Sequence, residues 1–179
     1  MKYIATSAVV VFALFLASYS PLDAHLPRSS SSNSPAIAAN SIGETRAMKA
    51  TGPFDVKLTP IPLPESVADP SLAAMTIDKQ FHGDLEAASK GQMLSAAGTE
   101  KGSAGYVAIE KVTGTLAGRK GSFILQHNAT MDRGKPQLNI IVVPDSGTGE
   151  LAGLVGTMNI IIAPGGKHSY EFDYTLPAN

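Results

Sequence analysis

The chain of 179 residues carries 14 basic and 15 acidic side chains, a formal charge of -1, and no cysteine. Near-neutrality leaves no net field to steer it onto nucleic acid or an anionic membrane surface. Without cysteine, disulfides, thiolate catalysis and thiolate-held zinc are excluded, so packing must hold the fold.

Met1 to Ala24 joins Lys2, an apolar run from Ile4 to Ala17 too short to span a bilayer, and small turn-forming residues. This is the pattern of a cleaved secretory signal peptide, so a secreted or periplasmic protein is expected. Cleavage is expected after Ala24, with Ala39 as the alternative, and no cysteine follows the apolar run to carry a bacterial lipid anchor. The remaining stretch, about 155 residues, suits one domain. Residues 25–50 are rich in Ser, Ala, Pro and Asn, lack a sustained apolar period, and read as a flexible leader before a domain over 51–179.

From Thr51 onward, Phe54, Val56 and Leu58 alternate with Asp55, Lys57 and Thr59, predicting a first strand with one apolar face. Pro60, Pro62, Pro64 and Pro70 make Ile61 to Ala73 a loop. Met75, Ile77, Phe81 and Leu85 mark one face of a long second strand, with a bend or bulge at Gly83. Tyr106 to Leu116 and Ser122 to Met131 read as a hairpin turning through Gly118 to Gly121. Leu138 to Val143, Leu151 to Ile162 and Lys167 to Leu176 follow as strands, separated by the turn around Asp145 to Gly149 and by Gly165-Gly166.

No helix pattern follows the signal segment, and splitting the glycine-containing strands gives about eight. That number suits an all-β, closed antiparallel barrel, with a two-sheet sandwich as the alternative. The segments Asp78 to Glu86, Lys101 to Tyr106 and Val142 to Leu151 closely resemble a bacterial family known as domain of unknown function 3224. The resemblance covers Thr51 to Leu176 and implies a barrel similar to that of plant allene oxide cyclase. The proline-rich Ile61 to Ala73 segment departs from it.

Within the hairpin, a turn centred between Arg119 and Lys120 sets Glu110 opposite Ala129 and Val112 opposite His127. Glu110 and His127 are then diagonal neighbours on the face that also carries Tyr106, Ala108, Leu116, Phe123, Leu125 and Met131. A carboxylate and an imidazole on an apolar inward face are a candidate acid/base pair. The alternatives are a structural buried hydrogen bond, or a one-residue slip that separates the two onto opposite faces. His168 shares its face with Tyr170, Phe172, Tyr174 and Leu176, which suggests a wet or ligand-filled interior or, alternatively, satisfied core groups.

His82, Asp84 and Glu86 project about 6.6 to 7 Å apart along one strand face, too far for one metal unaided, and read as a solvated surface. No Gly-x-Ser-x-Gly elbow is present, Gly147-Thr148-Gly149 opens no helix, and the Asn128-Ala129-Thr130 sequon falls mid-strand. No cofactor or metal is expected. Three functions remain: a barrel binding a small apolar or amphipathic molecule among Tyr106, Phe123, Leu125, His168, Tyr170 and Phe172; a cyclase or isomerase working through Glu110 and His127; and a filled, structural or homo-oligomer-forming barrel. Cavity volume separates the last from the others.

Overall fold

The computed structural model describes residues 47–177. The expected signal segment and the leader up to residue 46 lie outside the described residues. Nine strands follow in order: β1 (Ala47–Ile61), β2 (Leu72–Phe81), β3 (Leu85–Ala97), β4 (Ala104–Leu116), β5 (Arg119–Asp132), β6 (Lys135–Val142), β7 (Thr148–Gly149), β8 (Val155–Ile162) and β9 (His168–Thr175). The β1–β2 connection carries a short 3-10 turn, Glu65–Val67. Among the described residues no helix is long and apolar enough to cross a membrane.

Each wall strand pairs antiparallel with its successor, β6 pairs with β8, and β9 returns to β1, closing an up-and-down barrel of eight strands. The two-residue β7 stands outside this circuit and pairs with Gly121 and Ser122 on β5. Closure leaves the wall without a free edge, and alternation then sends every second side chain inward.

Four expectations are corrected, one of them being the strand expected over Leu151 to Ile162, which begins only at Val155. The first strand begins at Ala47 rather than Thr51, because β9 is long enough to pair with its whole N-terminal half, down to Ala47 opposite Thr175. The long second strand is two strands: Gly83, at φ 93°, turns the chain so that Phe81 faces Ala87. β3 escaped sequence reading because its inward residues are mostly small, with Ala87, Ser89 and Gly91 weakening the apolar signal. The hairpin turn is Ala117-Gly118, at φ 47° and 84°, a two-residue turn of primed type, so Glu110 lies opposite Leu125 and Val112 opposite Phe123.

The barrel interior has two unequal halves. One is packed by Phe54, Phe81, Val112, Phe123, Leu125, Ile140, Met158, Tyr170 and Phe172, and Leu151 and Leu154 from the β7–β8 connection complete it. Phe123 stacks on Phe172 at 5.7 Å between ring centres, and Phe172 on Tyr174 at 5.2 Å. The other half holds a smaller cluster, Met75, Ile77, Met93 and Ala108, against the half-buried Val56, Leu58 and Tyr106.

Candidate functional site

Where the two halves meet, four polar side chains step across four adjacent strands: Lys79 on β2, Ser89 on β3, Glu110 on β4 and His127 on β5. All are buried, and Glu110 is 0% exposed. Lys79 Nζ donates to Glu110 Oε1 at 2.7 Å, and Ser89 Oγ donates to Oε2 at 2.6 Å. His127 Nε2 meets Oε1 at 2.9 Å. Three donors on one carboxylate satisfy it fully, as a buried charge demands.

A glycine makes this reach possible. Gly91 stands directly opposite Glu110 on β4 and opposite Ile77 on β2, and a Cβ there would come within 2.6 Å of Glu110 Cα and Cβ. With no side chain on β3 at that point, Glu110 crosses the strand to meet Lys79 on the far side. Lys79 Nζ also lies 5.4 Å from the Phe54 ring centre and 5.6 Å from that of Phe81, where ring faces attract a cation.

The electrostatics follow from this packing. Burial alone would raise the Glu110 pKa, but the Lys79 charge and the hydrogen bonds from His127 and Lys79 outweigh it and hold the carboxyl at about 2. Burial lowers the His127 pKa against the opposing effect of its hydrogen bond to Glu110, so the ring is neutral at pH 7. A neutral His127 beside an ionised Glu110 carries its proton on Nε2, leaving Nδ1 as the basic nitrogen. Burial also raises the Tyr106 phenol, with the Glu110 charge adding to the effect.

Above this belt, in the loosely packed half, lies a cavity of about 60 Å³ lined by Phe54, Val56, Leu58, Ile77, Lys79, Met93, Tyr106, His127, Pro136, Leu138, Ile160, Ile162 and His168. Val56, Leu58, Leu138, Ile160 and Ile162 face inward yet are only half-buried, so solvent reaches the cavity past them. His168, at the start of β9, packs its ring 5.1 Å from Phe54. Its Nε2 is the one buried side-chain polar atom among the described residues without a hydrogen-bond partner.

The structure brings together Glu110 and His127 and places Tyr106 and His168 on the cavity wall. It puts Phe123, Leu125, Tyr170 and Phe172 in the packed half, where they do not line the cavity. Tyr170 instead pins β9 to the β2–β3 turn, its hydroxyl accepting from Leu85 N at 2.8 Å and donating to His82 O at 3.0 Å. Lys79 and Ser89 were missed by sequence reading. Lys79 nonetheless carries a signal, since it alternates between Ile77 and Phe81 on the apolar face. His82 is half-exposed near Asp55 and Glu86, and no group of three metal-ligating side chains gathers among the described residues.

Fold and site together define an antiparallel β-barrel with one packed half and one hollow half, separated by a buried ion pair. The family described as "Protein of unknown function (DUF3224)" matches residues 50–174. The chain is also similar to a solved protein of unknown function from the DUF3224 family of Shewanella oneidensis MR-1. The two are 52% identical with a TM-score of 0.69, over 74% of this chain and 100% of that one. The chain belongs to the DUF3224 family. No curated protein matches it.

Proposed function

We propose that this protein is a binding barrel that takes a small apolar or amphipathic molecule into its hollow half. The carrying observation is the asymmetry of the interior: one half is filled by aromatic and aliphatic side chains, while the other keeps a solvent-reachable apolar cavity above a fully satisfied polar floor. A barrel that served only as a structural block would gain stability by filling that space. The expected place of action is outside the cytoplasm, on the strength of the signal-peptide pattern at Met1 to Ala24; the mass of the chain recovered from the periplasm or medium checks this.

The test is a titration with 1-hexanol followed by methyl chemical shifts. Ile77, Leu138 and Ile160 should shift together and saturably, and Ile160→Trp should abolish the response by filling the cavity. Shifts scattered over the outer surface, or unchanged by Ile160→Trp, would sink the proposal.

An isomerase related to allene oxide cyclase is the second reading, supported by the closed eight-strand meander and by His127. Glu110 has both oxygens engaged and a low pKa, so its part there would be to orient His127, with Nδ1 handling the proton. Under that reading wild type turns over its ligand and Glu110→Gln binds it without turnover, whereas a pure binding barrel shows no turnover in either protein.

A further inference from the structure

We propose that the ligand of this cavity carries an anionic oxygen group, a carboxylate or its like, which enters first and is held between Lys79 Nζ and His168 Nε2. The inference rests on the binding reading above and names the chemical class that the site selects.

Two independent features of the cavity wall carry it. The first is the orphaned His168 Nε2, in a protein whose other buried side-chain polar atoms among the described residues are partnered. A buried nitrogen left unpaired costs stability unless a partner arrives, and His168 shares the cavity wall with Phe54, Ile162 and other apolar groups. The second is the ammonium of Lys79, which lines the same cavity and uses one of its three donors on Glu110. Lys79 and His168 flank the same ring, Phe54, one by its cation and the other by its imidazole. A group seated against Phe54 is therefore placed near both Lys79 and His168.

The charge sign follows from what surrounds the seat. Glu110 is the only carboxylate in the belt, and three donors already engage both its oxygens, so it offers nothing to a ligand cation. Lys79 from β2, the neutral His127 from β5 and the protonated phenol of Tyr106 from β4 face the same space, while Asp55 on β1 acts on His168 only from the solvent side. Burial and the Lys79 charge lower the His168 pKa, and an arriving anion opposes the second of these effects. An oxyanion is the group that accepts from both the Lys79 ammonium and a protonated His168 Nε2. Its apolar remainder then lies along Val56, Leu58, Leu138 and Ile160 toward the mouth. About 60 Å³ of space takes a head group and a few carbons, since one water needs about 10 to 15 Å³.

The experiment compares three probes of one shape, hexanoate, 1-hexanol and hexylammonium, by calorimetric or shift-detected titration at pH 7. The folded wild-type, His168→Phe and Ile160→Trp proteins are compared. Hexanoate should bind wild type about tenfold or more tightly than 1-hexanol, as expected of charge-assisted hydrogen bonds, and hexylammonium weakest. His168→Phe keeps the ring packing on Phe54 and should reduce the hexanoate preference at least about threefold with 1-hexanol affinity little changed. Lys79→Met is unsuited as the sole test because it strands Glu110. If 1-hexanol binds as well as hexanoate, or His168→Phe leaves the preference intact, the anion assignment fails while the binding reading stands. If no probe binds, or Ile160→Trp leaves hexanoate binding untouched, both fail.

Discussion

Replacing Glu110 by Gln removes the negative charge at the centre of the belt while keeping its shape. Lys79, 5% exposed, then keeps a full positive charge inside the barrel with only neutral partners. Breaking a buried ion pair on one side typically costs about 3 to 5 kcal/mol, and Gln, whose carbonyl still accepts one hydrogen bond, sets the lower end. Lys79→Met strands Glu110 instead, with Ser89 and His127 as its remaining donors, and should cost a similar amount. The double variant carries no charge in the belt. At an effective dielectric constant near 20, two unit charges about 4 Å apart attract by roughly 4 kcal/mol. The double variant should therefore be destabilised by roughly 2 to 4 kcal/mol less than the two single costs added together. Urea unfolding followed by circular dichroism at pH 7 gives all four corners of this cycle. Additive costs, agreeing within about 0.5 kcal/mol, would show that Lys79 and Glu110 do not interact and would refute the belt as described.

Stability should also fall with acid. The unfolded carboxyl of Glu110 titrates near 4.5 and the folded one at about 2, so its contribution is complete above 4.5 and is lost as pH drops toward 2. A gap of that size is worth about 3 kcal/mol. His127 is depressed from 6.5, so its contribution already begins to fade below pH 6.5, where the unfolded chain gains a proton first. The stability gap between wild type and Glu110→Gln should narrow from pH 5 to pH 3, and a constant gap would contradict the assigned pairing. Gly91→Ala should destabilise by about 1 to 3 kcal/mol, because its Cβ meets backbone of β4 rather than a movable side-chain tip. A melting temperature within error of wild type would mean that the close approach of Gly91 to Glu110 is not needed.

Strand alternation, a local property, determined much of this protein from sequence alone. The hydrophobic period of two placed Glu110 and His127 on one face, and it did so even with the hairpin turn misplaced. Moving the turn from Arg119-Lys120 to Ala117-Gly118 shifts the partner of Glu110 by four residues, from Ala129 to Leu125, and an even shift leaves every side chain on its own face. The same parity put His168, Tyr170 and Phe172 inside. What parity leaves open is depth along the barrel and position around it, which depend on how strands distant in sequence stagger against one another. Only that stagger decided that Tyr170 and Phe172 sit in the packed half while His168 borders the cavity. It also decided that Lys79 finds its carboxylate 31 residues away across a strand that Gly91 leaves bare. Sequence shows a lone cation on an apolar face, but its partner is set by the closed sheet, since a buried charge is satisfied by whatever the pairing brings within reach.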